Sequence, residues 1–258
     1  MPIAEAARLK LAPPSLSADS IALFLDLDGV LAAIASTPEG VVEDPDRTAM
    51  LRRLQDRLQG RLAVISGREI AEIDRICGGA VKVAAGIHGL ERRHADGRMQ
   101  RVEPSAGVAR ALEDMRVFAE AWPGVLIEDK GLAAGLHYRQ APEAEQAARE
   151  LSEALAARHD LIVQPGHMIH ELKTPGADKG RALAAFMEEA PFKGFTPVML
   201  GDDLTDEFGF EAAARLGGGG VLVGPERQTH ARWGLADQPT AMAWLEALSR
   251  TPRQETSR

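Results

Sequence analysis

Short apolar runs punctuate this chain, and the stretches between them carry apolar residues at helical rather than strand spacing. The first run, Ile21-Ala22-Leu23-Phe24-Leu25, has no polar break, as a strand buried on both faces requires. After a polar segment holding Pro38 and Gly40, residues 45–59 place Met50, Leu51, Leu54 and Leu58 on one helical face. A buried strand over 61–65, a helix to about residue 76 and a strand over 81–85 continue the alternation. Residues 86–91 lead into a hairpin with its turn predicted at Ala95-Asp96-Gly97. From about residue 105 the rhythm changes. The order helix 108–121, strand 125–128, strand 132–138, helix 142–158, strand 161–163, strand 168–172 predicts a compact inserted α+β unit. The α/β rhythm resumes with a helix from 178, a strand at Val198, a helix from 205, a strand at Val221 and a last helix over 240–249. Right-handed crossovers would place the flanking halves in one largely parallel sheet. The pattern thus predicts an α/β core from residues 1–104 and 173–258, with a separate α+β domain over 105–172. The ends, to about residue 18 and from about 251, are expected to fray.

Composition narrows the function classes. A length of 258 residues accommodates a large core and a small second domain. A net charge of −8 with no block of Lys or Arg argues against nucleic acid or an anionic membrane as partner. Cys77 stands alone, which excludes an internal disulfide and a cysteine-based metal site. It is expected to be a small buried apolar side chain. No apolar run approaches membrane-span length and the N-terminus lacks a basic region followed by an apolar core, so a cytoplasmic location is expected. The glycine run at 217–220 is expected to stop a helix and turn the chain.

Chemistry enters at the strand ends. Asp26 and Asp28 share one face just where the first strand runs out, and Gly29 allows a sharp turn. A second strand breaks into Gly201-Asp202-Asp203-Leu204-Thr205-Asp206-Glu207. If these aspartates meet, their repulsion in a desolvated crevice calls for a cation or for protonation. All-oxygen ligands favour a hard ion such as Mg²⁺ over zinc, and the chain lacks the repeating acidic loop typical of Ca²⁺. Ser66-Gly67 offers a hydroxyl and an approachable amide suited to a phosphate oxygen. Lys179 opens a predicted helix at the end where the macrodipole disfavours a cation, so an anion or the aspartates must compensate. Each feature has a plainer alternative: turn-forming aspartates, an N-cap serine, a solvated lysine.

Taken in order, Asp26-Leu27-Asp28-Gly29, Ser66, Lys179 and Gly201-Asp202-Asp203 with Asp206 resemble the haloacid-dehalogenase-like (HAD) superfamily of phosphotransferases. The resemblance implies a Rossmann-like, HAD-like core with the inserted domain as a cap. It implies that Asp26 attacks phosphorus and becomes a phosphoaspartate, and that Asp28 acts as acid and then base. Mg²⁺ would be held by Asp26, the Asp28 carbonyl and Asp202, with Asp203 and Asp206 supporting. Ser66, the Gly67 amide and Lys179 would bind the phosphoryl oxygens. Many members have Gly-Thr after the second aspartate, where this chain has Gly29-Val30.

Over nearly the whole chain, the segments Gly86-Ile87-His88-Gly89-Leu90-Glu91, Ile127-Glu128-Asp129-Lys130-Gly131 through His137-Tyr138-Arg139, and Gly166-His167 through His170-Glu171-Leu172-Lys173 resemble trehalose-6-phosphate phosphatases. In that family the cap closes on the sugar, which implies that Glu128, Lys130 and Glu171 contact glucose hydroxyls. Arg68, His88 and Lys173 complete the expected substrate-binding set. Trehalose 6-phosphate is then the small-molecule partner, and functional coupling to a trehalose-6-phosphate synthase follows. Taken singly, Glu128 and Lys130 fit a solvated hairpin edge and Glu171 with Lys173 an exposed pair. Rival readings are another sugar-phosphate phosphatase, such as one for sucrose phosphate, a phosphomutase, and a noncatalytic sugar-phosphate sensor.

Overall fold

The computed structural model of the protein describes residues 13, 17–35, 37, 40–166 and 168–252. Pro38, His167, and most of the ends expected to fray lie outside the described residues. Where the ends are described they are pinned. Ala18 is buried, and Arg57 gathers the Asp19 carboxylate (2.6 Å) with the carbonyls of Thr251 (2.8 Å) and Pro252 (3.1 Å).

Among the described residues the core sheet has eight strands in the order β12-β11-β10-β1-β2-β3-β4-β5. β1 (Ile21–Leu25) lies between β2 (Leu62–Ile65) and β10 (Thr196–Gly201), both parallel to it. β3 (Val83–Gly86) extends the parallel set past β2, and β11 (Gly219–Val223) and β12 (Trp233–Leu235) extend it past β10. β4 (Glu91–Arg93) pairs antiparallel with β3 and leads to β5 (Met99–Arg101) at the edge. The turn between β4 and β5 is the expected one: Gly97 takes φ +83° and Asp96 accepts from the Arg98 amide at 2.9 Å. Strand β12 has no apolar run to announce it. Its three residues, Trp-Gly-Leu, join the sheet only because β11 offers an open parallel edge.

Alternation along the strands sorts the core into two layers. Leu23, Leu25, Val64, Val198 and Val221 face one side, with Met50, Leu51 and Leu54 of α1 (Pro45–Arg57), Ile73 of α2 (Ile70–Ile76) and Leu245 of α7 (Gln238–Ser249). Ala22, Phe24, Ile65, Met199 and Leu222 face the other side. They pack with Leu183 and Phe186 of α5 (Lys179–Met187) and Phe210 of α6 (Glu207–Arg215). Phe24 stacks on Phe192 at 5.4 Å, which ties the central strand to the chain beyond α5. Cys77 is fully buried and its thiol is pushed up to about 12, chiefly by that burial, so it is inert at neutral pH.

The glycine run does more than turn. Gly217, at φ +83°, follows the end of α6, but Gly219 and Gly220 belong to β11. A Cβ on Gly220 would stand 2.4 Å from the Phe210 ring, so the missing side chain is what lets α6 lie against the sheet.

Residues 101–177 and 203–205 form a second compact unit. The sequence pattern sets its edges at 105 and 172. It is a four-stranded antiparallel sheet in the order β6-β7-β9-β8, built from β6 (Leu126–Asp129), β7 (Ala133–His137), β8 (Ile162–Gly166) and β9 (Ile169–Lys173). One face, carrying Ala134, Leu136 and Leu172, packs on Val108, Leu112 and Met115 of α3 (Ala106–Ala121) and on Ala148 and Leu155 of α4 (Glu145–His159).

His170 lies on that covered face, 7% exposed, stacked on the Tyr138 ring at 5.3 Å, and among the described residues neither ring nitrogen has a hydrogen-bond partner. Burial holds its imidazole below the ordinary value. Glu145 and Glu153 oppose that shift, and Arg149 adds to it. A neutral-preferring histidine contributes stability that is present above about pH 6.5 and lost as pH falls below it. The amides of β9 are therefore expected to lose hydrogen-exchange protection at pH 5 relative to pH 8 in the wild type, and much less so in His170→Phe. Equal acid sensitivity in both proteins would contradict this role.

Candidate active site

The two central strands end side by side, and their neighbours supply the rest of the centre. Alternation carries Asp26 onto the Phe24 face of β1, the side on which α5 lies. Lys179, the first residue of α5, reaches both the Asp26 and Asp206 carboxylates at 2.7 Å. All three side chains are almost wholly buried. Asp26 Oδ1 also accepts from the Leu27 amide at 2.8 Å, and Asp206 Oδ2 accepts from the Asp202 amide at 2.9 Å. Burial, then the charges of Asp206 and Asp202, push the Asp26 carboxyl well above the usual range against the pull of Lys179. Burial opposes the charge on Lys179 too, but Asp206 and Asp26 outweigh it and hold the ammonium above its ordinary value. Two acids share one base here, which leaves an excess of negative charge.

Among the described residues, carboxylate oxygens of Asp26, Asp202 and Asp206 approach one another within 4.8 Å. Gly29 makes room for this. At φ +74°, a Cβ there would fall 2.1 Å from Asp202 Oδ2. An all-oxygen set with excess negative charge fits a hard divalent cation. Of the five aspartates predicted at the strand ends, two stand outside the group. Asp28 turns its carboxylate to Arg68, which grips it with two hydrogen bonds of 2.8 and 2.9 Å. Asp203 accepts from the amide of Leu204 at 2.6 Å.

Ser66 ends β2 in full burial. It is not the N-cap of α2, which starts at Ile70 behind Glu69; its hydroxyl accepts from the Arg68 amide at 3.1 Å. Gly67 lies under the His88 ring, where a Cβ would stand 2.8 Å from Nε2. His88 and the preceding Ile87 hold φ of +54° and +47°, a conformation costing about 1–3 kcal/mol per residue, most severely for a β-branched side chain. Amide bonds hold it there: His88 N donates to Ser66 O (2.9 Å) and Ile87 N to Arg68 O (3.0 Å). Neither Arg68 nor His88 showed this structural task in the sequence, because it depends on β2 and β3 being neighbours.

This set of strand ends has known counterparts. The family model for trehalose-phosphatase matches residues 24–238. The chain belongs to the trehalose-phosphatase family. Relatives include the trehalose-6-phosphate phosphatase of Escherichia coli (strain K12), 41% identical over 94% of this chain and 91% of that protein. The probable trehalose-phosphate phosphatase of Sinorhizobium fredii is 40% identical over 80% of this chain and 79% of that one. The C-terminal domain of C. albicans trehalose-6-phosphate phosphatase superposes with a TM-score of 0.79 over 89% of this chain and 93% of that domain, at 23% identity, a likeness of fold. The HAD-like core and inserted unit expected from the motifs are therefore the architecture of this trehalose-phosphatase family member.

In the second unit, the sheet face away from α3 and α4 gathers charge. Strand register aligns Glu128, Gly135, Glu171 and Gln164 in one row across β6, β7, β9 and β8. Lys130 Nζ donates to Glu171 at 2.6 Å and lies 3.6 Å from Glu128, which also has His137 Nε2 at 2.9 Å. Lys130 and Glu171 are buried, so the solvated-edge and exposed-pair alternatives do not hold for them. Lys173 is buried too and donates to the Ala177 carbonyl at 3.0 Å. His137, which the sequence shows only as part of a motif, gains its place from the register of β7 on β6. Among the described residues no helix is long and apolar enough to cross a membrane.

Replacing Lys179 by Met leaves Asp26 and Asp206 buried without their cation. The variant is expected to lose about 3–5 kcal/mol of stability. Urea unfolding of metal-free protein checks this, and a loss below about 1 kcal/mol would mean the pair is not held as described.

Proposed function

We propose that this protein is a Mg²⁺-dependent trehalose-6-phosphate phosphatase, releasing trehalose and phosphate, and that it works beside a synthase that makes its substrate. The carrying observation is Asp26, a buried strand-end carboxylate facing Lys179 beside two further carboxylates, in a chain 41% identical to the E. coli phosphatase.

In this reading Asp26 attacks the phosphorus in line and the bond to the sugar oxygen breaks. Asp28 gives its proton to that leaving oxygen. For this its carboxyl must exchange Arg68 for the sugar. Asp28 then takes a proton from the water that attacks the phosphoaspartate, which regenerates Asp26. Ser66, the Gly67 amide and Lys179 stabilise the charge spread over the equatorial phosphoryl oxygens. Asp26, Asp202 and the Asp28 carbonyl would hold the Mg²⁺, with Asp203 and Asp206 supporting. When bound, the ion supplies neutralisation of the charge on the phosphoryl group.

Glu128, Lys130 and Glu171 bind glucose hydroxyls, which both donate and accept and so suit a row mixing carboxylates with an ammonium. In this reading Arg68, His88 and Lys173 also belong to the substrate-binding set. Such a row rejects analogues that leave a buried charge unpaired. The chain keeps Asp26, Asp28 and Lys179, and a sensor would not need them, which weighs against a noncatalytic reading.

Phosphate release is to be compared for trehalose 6-phosphate, sucrose 6-phosphate, glucose 6-phosphate and a small aryl phosphate, with Mg²⁺ and with a chelator. A metal-dependent preference for trehalose 6-phosphate is expected; activity spread evenly over the others would overturn the substrate. Asp26→Asn is expected to abolish turnover with an unchanged circular dichroism spectrum. Lys130→Ala should raise KM for trehalose 6-phosphate at least about tenfold, the scale of one lost charged hydrogen bond, and leave the aryl phosphate nearly untouched. Equal losses on both substrates would remove Lys130 from the sugar site.

A further inference from the structure

Glu207 closes the second acidic motif, yet the reaction above makes no use of it. Its carboxylate is 17% exposed and does not turn back onto its own helix. It reaches the segment between β11 and β12 instead, accepting from Arg227 Nη1, from the Thr229 hydroxyl (2.8 Å) and from the His230 amide (2.7 Å), with His230 Nδ1 at 3.3 Å. Arg227 carries the connection on, because its Nη2 donates to the Asp202 carbonyl at 3.4 Å. The Asp202 amide donates to Asp206, the residue before Glu207. A closed ring results, running from the Asp202 amide through Asp206, Glu207 and Arg227 back to the Asp202 carbonyl.

We propose that Glu207 and Arg227 are positioning residues for Asp202 and set how tightly the acidic cluster holds its cation. The inference rests on the reading of Asp26 and Asp202 as metal ligands. Asp202 directly follows the last residue of β10, as Asp26 follows β1. Lys179 anchors the carboxylates of Asp26 and Asp206, while the backbone of Asp202 donates to Asp206 through its amide and accepts from Arg227 through its carbonyl. Loss of Arg227 removes the donor to the Asp202 carbonyl and leaves the Asp202 carboxylate less closely fixed relative to Asp26. Partners of this kind typically alter metal affinity about 10- to 100-fold. A carboxylate with several donors serves this task well, because it fixes the arginine in one orientation through charge-assisted bonds.

The test is titration calorimetry of Mg²⁺ alone into chelator-treated full-length protein, for wild type, Arg227→Gln, Glu207→Gln and Arg227→Lys. Arg215→Gln, which breaks an exposed pair with Glu211 elsewhere on α6, is the control. The Kd for Mg²⁺ is expected to rise about 10- to 100-fold in the Gln variants, to recover partly in Arg227→Lys, and to stay unchanged in the control. Aryl phosphate hydrolysis should return towards the wild-type rate at saturating Mg²⁺. If the Gln variants melt earlier but bind Mg²⁺ as the wild type does, the ring is a loop fastener and the proposal fails. If the wild type binds no Mg²⁺, the metal reading of the cluster fails first and takes the inference with it. Should Arg227→Gln not fold, Thr229→Val removes one donor to Glu207, and a weakening of the same sign is expected; none would count against the proposal.

Discussion

The buried ammonium of Lys179 lies between the buried carboxylates of Asp26 and Asp206, and the arrangement of the centre follows from it. Removing charged groups from water costs several kcal/mol each, so each is less costly to bury in the presence of its partner. The lysine thereby locks the start of α5 to the ends of β1 and β10. Its position in the first turn of a helix, unfavourable to a cation by itself, is compensated by the two carboxylates. One lysine cannot balance two carboxylates and the nearby Asp202. That residual charge makes the pocket a place for a hard cation and a poor place for a bare anion.

Around this triad the loops are held by close backbone approach more than by side-chain mass. Gly29 lets Asp202 come within reach of Asp26, and Gly67 lets His88 lie over the serine loop. The left-handed Ile87 and His88 are strained, and the amide bonds to Ser66 and Arg68 keep them there. Strain of this order is small beside the burial that anchors β2 and β3, so the sheet can sustain it. The result joins the strained segment after β3 through Arg68 to Asp28, one hydrogen bond at a time.

The second unit solves a different problem with the same means. Its antiparallel sheet buries one face under two helices and leaves charged residues on the other, where cross-strand register brings Lys130, Glu128 and Glu171 together although 41 residues separate Lys130 from Glu171. Gly135 sits in the row between the two glutamates and keeps the space between them open. Polar groups fixed in this way are suited to sugar hydroxyls, because their partners within the sheet have already set their orientation.

Much of the architecture was legible before folding was considered. Unbroken apolar runs marked the buried parallel strands, helical spacing marked α1 and α3, and an Asp-Gly turn marked the hairpin, because these signals are local and periodic. The pair Asp26 and Asp28 stood out because it sits where an apolar strand runs out, and Lys179 because it opposes its helix dipole. Strand β12, the entry of Gly219 and Gly220 into β11, and the burial of Ala18 were not visible, since each is decided by an edge or a cavity that distant residues create. Side-chain partnerships were equally hidden. That Asp206 rather than Asp28 joins Asp26, that Arg68 takes Asp28, and that Arg227 reaches Asp202 depend on distances across parallel strands. Sequence patterning by itself determined the elements and the chemical kinds of residue at their ends; only tertiary structure decided which charges meet, because electrostatic pairing depends on separation in space and not along the chain.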